Sequence, residues 1–191
     1  ITGTGKGKTT SALGKGFMKL IKGKKVAVVQ WFKEFKDGSY TWAINEHRFP
    51  QKLLDSKRMQ FFPTGLGFYG SPNLDRLRGE TAYQMHRDKA YEGLELAHKL
   101  ISSGDFDEVI LDELVDTVKE IAGNIEYPLI DLRDLKNFLA FCVSQQKTEI
   151  TVTGRRVTED WIEYISKSVE IVEIKHPWSS AGKGAVSGLD F

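Results

Sequence analysis

The stretch Gly3-Thr4-Gly5-Lys6-Gly7-Lys8-Thr9-Thr10 decides the fold. Its glycines permit positive φ and close approach, so that several backbone N–H groups can converge on the oxygens of a polyphosphate. The apolar spacing that follows predicts a helix from Thr9 to about Ile21, and the N-terminus of a helix favours an anion. We expect all eight residues to contact ATP, with the Lys8 ammonium on the phosphates and the Thr9 hydroxyl on Mg²⁺.

This loop departs from the usual phosphate-loop pattern, G-x-x-x-x-G-K-[ST], at one position. The first glycine of that pattern falls on Thr2, and Gly3 comes one place later. A flexible loop before a helix is the alternative, but three glycines interleaved with Lys6 and Lys8 favour nucleotide binding. Such loops follow a buried strand, so we expect most of that strand to precede Ile1.

Apolar runs alternate with helical patterns along the rest of the chain. Strands are predicted at 25–32, 59–62, 106–111, 149–152 and 168–174, and helices at 80–102, 114–121, 131–144 and 158–166. The first helix is expected to bury Ala12, Leu13, Phe17, Leu20 and Ile21. The alternation predicts an α/β fold, a mostly parallel sheet with helices on both faces, in one domain over 1–191 with an irregular tail at 175–191. Ligands should bind at the carboxyl ends of the strands.

Two adjacent carboxylates, Asp112 and Glu113, follow the apolar run at 106–111. In proteins with a phosphate loop, a carboxylate at this place meets the Mg²⁺ shell directly or through water. Glu113 could bind the metal, orient a water or contact a second substrate. The alternative is that both residues only cap the next helix. The candidate metal ligands are therefore Thr9, Asp112 and Glu113.

Thr153-Gly154-Arg155-Arg156 follows the strand predicted at 149–152. Its arginines could approach a triphosphate from the side, and a forked guanidinium matches phosphate oxygens better than an ammonium does. A turn with solvated arginines is the alternative. Arg155 is therefore a candidate ATP-binding residue.

A glycine-rich loop with aromatic neighbours follows the strand predicted at 59–62. Such a loop could cover an apolar ligand, although core packing under a loop explains the same residues equally well. The residues concerned are Phe61, Phe62, Leu66, Phe68 and Tyr69. Elsewhere, His176 is either ligand-facing or a polar surface group, and Cys142 on an apolar helical face is expected in the core.

Composition and charge limit the classes of function. The chain has 27 Lys and Arg against 26 Asp and Glu, a net charge of +1, which gives no reason to expect nucleic-acid binding. The single cysteine rules out an internal disulfide and fits a reducing cytosol, so we expect a cytoplasmic protein. The sequence has no run of about eighteen apolar residues, and no membrane span is expected.

Taken together, the motifs resemble those of the ATP:corrinoid adenosyltransferases. Their order and spacing cover nearly the whole chain, and the Gly-Lys-Gly-Lys-Thr-Thr form of the loop is characteristic of this family. The matching segments are 2–10, 28–33, 64–65, 111–114, 153–155, 175–177 and 188–191. The resemblance implies an enzyme with a RecA-like P-loop fold that acts as a homodimer.

The resemblance also implies a reaction. MgATP binds beside a corrinoid whose cobalt an external, flavin-type donor reduces to Co(I). The cobalt attacks the 5′ carbon of the ribose, a carbon–cobalt bond forms and triphosphate leaves intact. Catalytic roles then fall to Lys8, Glu113 and Arg155. Leu66 and Phe68 match positions where apolar residues expel the lower axial ligand of the corrinoid.

The chain departs from this family in several places. The family usually has an aromatic side chain where Leu66 stands, on the corrinoid side of the mechanism. The stretches 33–56 and 122–133 are longer than in typical members. They could alter the corrinoid entrance, the dimer contact or neither.

Other functions remain open from the sequence alone. A RecA-like P-loop ATPase would use Glu113 to orient a hydrolytic water and would release ADP and phosphate. A nucleotide-dependent regulatory or binding module would bind ATP with little turnover. A small-molecule kinase is disfavoured, because the sequence has no obvious arginine-rich lid or phosphoacceptor site.

Overall fold

The structure, a computed structural model, describes residues 1–36, 39–40, 57–67, 80–118, 120–122, 125–155, 157 and 159–175. Within these residues the α-helices are α1 (Lys8–Ile21), α2 (Glu80–Ser103) and α3 (Leu132–Ser144). The strands are β1 (Val26–Gln30), β2 (Phe35–Lys36), β3 (Ser39–Tyr40), β4 (Met59–Pro63), β5 (Glu108–Asp112), β6 (Glu120–Ala122), β7 (Ile125–Tyr127) and β8 (Glu149–Val152). Short 3-10 helices cover Leu114–Val118 and Glu159–Tyr164. None of the described helices is both long and apolar enough to cross a membrane.

A parallel sheet of four strands, in the order β4-β1-β5-β8, forms the centre of the described fold. β1 and β5 are buried at every residue, as expected for strands covered on both faces. The register pairs Gln30 with both Pro63 and Asp112, so the carboxyl ends of three strands form one edge. Leu111 pairs with Val152, which extends that edge to β8. The predicted parallel sheet is confirmed.

The segment that leads into the phosphate loop joins this sheet beside β8. The amino group of Ile1 donates to the carbonyl of Val152 at 2.8 Å, and Thr2 forms a parallel bridge with Glu170. β8 therefore separates the phosphate loop from β5, the strand that ends in Asp112. This order of elements fits the RecA-like P-loop fold.

Helices cover both faces of the sheet, as predicted. On the face of α1, the buried core consists of Ala12, Leu13, Leu20, Val26, Val28, Met59 and Ile110. α2 and α3 cover the other face, where the buried residues include Ala97, Val109, Leu111, Leu135 and Phe138. Cys142 is buried in this second core, which confirms its predicted place, and burial raises the pKa of its thiol to about 12.

The predicted buried face of α1 is wrong at two positions. Phe17 and Ile21 are 38% and 64% exposed. The helix buries Ala12, Leu13 and Leu20 as predicted, and it also buries Gly16, four residues after Ala12. A β-carbon on Gly16 would lie 3.1 Å from Ile110 Cδ1, so the helix approaches the sheet closely at this glycine.

The helix predicted at 114–121 is also wrong. The chain forms a 3-10 helix over Leu114–Val118 and then the β6–β7 hairpin. The Thr117 hydroxyl donates to the carbonyl of Leu114 at 2.7 Å, and the Leu129 amide donates to the Thr117 carbonyl at 2.7 Å. These bonds divert backbone groups that an α-helix would have used.

Two further predictions, a helix at 158–166 and a strand at 168–174, are wrong. The helix predicted at 158–166 is a 3-10 helix over Glu159–Tyr164. In place of the strand predicted at 168–174, the described residues form only an isolated bridge with Thr2. The pairing does not continue beyond Thr2 because the chain turns out of the sheet at Gly3, whose φ is 111°.

A lysine–glutamate cluster ties α1 to the amino ends of β5 and β8. Lys15 Nζ lies 3.0 Å from Glu108 Oε1 and 2.6 Å from Glu149 Oε1. Lys19 Nζ lies 2.6 Å from Glu149 Oε2. Hydrogen bonds from Lys15 and Lys19 lower the pKa of Glu149 to about 2.

We expect Glu149→Gln to lower the free energy of unfolding at pH 7 by about 1 kcal/mol or less, since the carboxylate is 46% exposed and its ion pairs are screened. Because the folded-state pKa lies below the unfolded value of roughly 4.3, the carboxylate stabilises the fold fully above that pH and progressively less toward pH 2. Urea unfolding should therefore show a difference that shrinks as the pH falls. The exposed control Glu95→Gln on α2 should show little difference at any pH. An undiminished Glu149→Gln effect near pH 2 would contradict this assignment.

Candidate active site

The phosphate loop runs from Gly3 to Gly7 and leads directly into α1. Gly3 and Gly7 have φ of 111° and 108°, a conformation that favours glycine. A β-carbon on Gly3 would also lie 2.2 Å from the carbonyl oxygen of Ile171, so conformation and space both require glycine there. The Gly5 amide donates to the same carbonyl at 3.1 Å, which fixes the middle of the loop. Among the eight motif residues predicted to contact ATP, Thr4, Lys6 and Thr10 are exposed.

Lys8, the first residue of α1, turns its ammonium back into the loop. Its Nζ donates to the Gly5 carbonyl at 2.7 Å, and the residue is only 9% exposed. Burial lowers the pKa of Lys8 and the charge of Arg155 lowers it further, while nearby carboxylates, Glu113 among them, oppose the shift. An ammonium has three N–H donors, so one that bonds Gly5 can also bind phosphate oxygens.

Asp112 joins the phosphate loop to the sheet. Its Oδ1 accepts hydrogen bonds from the hydroxyls of Thr9 and Thr153, each at 2.8 Å. Its Oδ2 accepts from Gln30 Nε2 at 3.3 Å. Because the hydroxyl hydrogen of Thr9 points to Asp112, the lone pairs of the Thr9 oxygen are directed elsewhere, where a cation can bind. The structure therefore brings Thr9 and Asp112, two of the candidate metal ligands, together.

The oxygens of Thr9 and Asp112 form a donor set suited to Mg²⁺. This ion prefers hard oxygen ligands and is usually held by one or two carboxylates together with substrate phosphates. Among the residues that the structure describes, no cluster of three or more His, Cys, Asp or Glu side chains could hold a metal alone. The arrangement fits a metal that protein and nucleotide bind jointly.

Glu113 follows this carboxylate in a left-handed conformation, with φ of 62°. Its amide donates to the Thr153 hydroxyl at 2.8 Å, and its Oε2 lies 3.8 Å from Lys33 Nζ. Burial raises the pKa of Glu113 to about 7, with Asp112 adding to the rise and Lys33 opposing it. Positive φ is uncommon outside glycine, so the surrounding fold must hold this residue in place.

Arg155 is exposed in the turn that follows β8. Its amide donates to Asp116 Oδ1 at 2.8 Å, and a β-carbon on Gly154 would lie 2.6 Å from Val115 Cβ. The turn therefore packs closely on the 3-10 helix after β5. The charge of Arg155 lowers the pKa of Lys8, after the larger effect of burial.

Leu66 is half-buried in the loop after β4, whose carboxyl end belongs to the same edge of the sheet. The Gly65 amide donates to the Lys33 carbonyl at 3.0 Å. A β-carbon on Gly65 would lie 1.9 Å from the carbonyl oxygen of Trp31. The loop is thereby held against the residues that follow β1.

The aromatic residues near this loop have different surroundings. Phe61 packs against the core under α1, whereas Phe62 packs against the core on the opposite face of the sheet. Core packing therefore explains both residues. Phe68, Tyr69 and His176 lie outside the described residues.

Residues 1–191 match the family model described as ATP:corrinoid adenosyltransferase BtuR/CobO/CobP. The chain belongs to this family. It is 32% identical over 193 residues to the corrinoid adenosyltransferase of Sinorhizobium sp, an alignment that covers 100% of this chain and 78% of the relative. It is 29% identical over 190 residues to the corrinoid adenosyltransferase of Escherichia coli K12, which covers 100% of this chain and 83% of that relative. The family resemblance seen in the sequence is confirmed.

Sequence reasoning about this member of the adenosyltransferase family missed three polar residues of the site. Gln30 and Lys33 lie in the segment 28–33 that matches the family, but the match assigns them no role. Thr153 lies in the motif Thr153-Gly154-Arg155-Arg156, where the arginines are the residues that indicate phosphate binding. Gln30 is fully buried at the end of the otherwise apolar β1, and Thr153 is buried just after β8. A buried polar residue where a parallel strand ends is the signal that identifies such residues.

Proposed function

We propose that this chain transfers the 5′-deoxyadenosyl group of ATP to the Co(I) centre of a reduced corrinoid and releases triphosphate. The observation that carries the proposal is the 2.8 Å hydrogen bond between Thr9 and Asp112, with the Lys8 ammonium inside the adjoining loop. A phosphate-binding loop and metal-binding oxygens meet there at one edge of the sheet. Family membership supports the corrinoid as the second substrate.

The proposed role of the loop is to hold the triphosphate and to stabilise it as it leaves. The first N–H groups of α1 and the ammonium groups of Lys6 and Lys8 bind its oxygens, and Arg155 adds a guanidinium. When bound, Mg²⁺ supplies further positive charge at the phosphates. Thr9 and Asp112 would hold it, with Glu113 as a further candidate ligand.

The proposed chemistry requires no proton transfer at the reacting carbon. Cobalt donates an electron pair to the 5′ carbon, the bond from that carbon to the phosphate oxygen breaks, and its electron pair leaves with the triphosphate. No water has to be activated, so Glu113 need not act as the general base that an ATPase would require. We assign Glu113, which faces Lys33, to the orientation of the nucleotide and its metal.

We propose that the corrinoid binds over the loop that contains Leu66, with Phe68, two residues later in the sequence, as the second candidate contact. The half-buried Leu66 supports this placement because it lies at the same edge of the sheet as the phosphate loop. Apolar side chains here would keep a ligand from the lower face of cobalt, which eases its reduction. By resemblance to the family, we also propose a homodimer, a flavin-type external electron donor and a cytoplasmic location.

Anaerobic incubation with ATP, Mg²⁺ and chemically reduced cobalamin tests this function. We expect a light-sensitive alkylated corrinoid, and none when ATP or the reductant is omitted. ADP together with an unmodified corrinoid would favour the RecA-like ATPase alternative. ATP binding without either product would favour a regulatory or binding module.

A further inference from the structure

Thr153 contacts both carboxylate residues of the site through one hydroxyl group. Its Oγ1 lies 2.8 Å from Asp112 Oδ1 and 2.8 Å from the amide nitrogen of Glu113. The residue is 1% exposed, and its own amide donates to the Leu111 carbonyl at 3.0 Å. The fold therefore holds both its backbone and its side chain.

The direction of each hydrogen bond follows from the groups involved. A backbone amide can only donate, so the hydroxyl oxygen accepts from Glu113. The single hydroxyl hydrogen then goes to Asp112 Oδ1, because a carboxylate oxygen accepts. One side chain thus links the direction of the Asp112 carboxylate to the left-handed backbone of Glu113.

The other donors to Asp112 do not have this double contact. Thr9 donates from the phosphate loop and Gln30 donates from β1. In the described part of the chain, the hydrogen bond of the Glu113 amide goes to Thr153. Thr153 is therefore the residue through which both carboxylates can be directed together.

We propose that Thr153 is a positioning residue for adenosyl transfer, whose hydroxyl orients Asp112 and Glu113 together toward the Mg²⁺-bound triphosphate. This inference rests on the proposed function. Without the hydroxyl, the Asp112 carboxylate loses one of its restraints and the Glu113 amide loses its acceptor. Outer-shell partners of metal ligands change metal affinity or activity by roughly 10- to 100-fold.

Thr151 provides a matched control two residues earlier on the same side of the sheet. It is 6% exposed, and its hydroxyl donates to the buried Glu108 at 2.6 Å. Valine at either threonine removes one buried hydroxyl and leaves a carboxylate short of a donor. The two variants should therefore lose similar stability, but only the change at Thr153 should alter metal-dependent binding.

The test is calorimetry of ATP binding in excess MgCl₂ and in EDTA, together with the rate of adenosylation. For Thr153→Val and for the smaller Thr153→Ala, we expect the Mg²⁺-dependent gain in ATP affinity to fall roughly 10- to 100-fold, with a comparable fall in kcat. Thr153→Ser keeps the hydroxyl and should stay within about threefold of wild type in both measurements, as should Thr151→Val.

The outcomes separate this inference from the proposed function. If Thr153→Val or Thr153→Ala keeps the wild-type gain in ATP affinity from Mg²⁺ and the wild-type kcat, the positioning role of Thr153 is overturned. The proposed function of the protein is not affected by that result. A Thr153→Ser protein as impaired as Thr153→Val would also overturn it, because the hydroxyl would not be the feature that matters. If the ATP affinity of the wild-type protein does not depend on Mg²⁺, the proposed metal site is overturned, and this inference is overturned with it.

Discussion

We expect Lys8→Ala to lower the rate of adenosylation roughly 10²- to 10³-fold, the usual cost of removing one donor from a site that stabilises developing negative charge. The Lys8 ammonium is nearly buried and bonded inside the loop, so its charge acts at short range where little water competes. Because burial lowers the pKa of Lys8, its charged form does not stabilise the fold, and Tm should change by no more than about 3 °C. Initial rates and thermal unfolding of the purified variant measure the two effects.

Lys22→Ala is the matched control for this variant. Lys22 is an exposed lysine at the other end of α1. Its removal should leave the rate and the ATP affinity unchanged. A folded Lys8→Ala protein that turns over at the wild-type rate would show that this loop does not hold the triphosphate.

Asp112→Asn should lower adenosylation roughly 10²-fold or more and leave the fold intact, because it removes the charge that we propose binds the metal but keeps the shape of the side chain. The amide oxygen can still accept from the hydroxyls of Thr9 and Thr153. The amide nitrogen of the asparagine would replace Oδ2 and face Gln30 Nε2, so that two hydrogen-bond donors would lie opposite each other. Gln30 can turn its amide by half a rotation, since its Oε1 has no hydrogen-bond partner among the described residues.

Asp112→Ala separates the effect of charge from the effect of packing. It leaves three side-chain donors without their acceptor, so it should also lower the free energy of unfolding by about 2 kcal/mol or more. The rate as a function of Mg²⁺ concentration and urea unfolding distinguish the two variants. An Asp112→Asn protein with the wild-type rate at limiting Mg²⁺ would contradict the assignment of Asp112 to the metal.

The sheet could be predicted from the sequence because its central strands are buried on both faces. A continuous apolar run such as that of β1 is stable only where helices cover both sides of a parallel sheet. The strand predicted at 149–152 has the observed bounds. Parallel strands share one carboxyl edge, so the meeting of Thr9 with Asp112, 103 residues apart, could also be predicted.

Details that depend on tertiary contacts could not be predicted in this way. Apolar spacing is compatible with several rotations of α1, and the observed rotation depends on the close approach of Gly16 to the sheet. The 3-10 helix at Leu114–Val118 depends on the Leu129 amide, which arrives from beyond the β6–β7 hairpin. The roles of Gln30 and Thr153 depend on their neighbours across the sheet, so they emerge only once the strand register is known.

The fate of the phosphate chain tests the central claim most directly. If the loop grips the triphosphate while the reaction occurs at the 5′ carbon, phosphorus NMR of a reaction with ATP, Mg²⁺ and a Co(I) corrinoid should show inorganic triphosphate. Its amount should equal that of the alkylated corrinoid, with no ADP. Accumulation of ADP and inorganic phosphate beside an unalkylated corrinoid would show that a bond between phosphates breaks instead of the bond to the sugar.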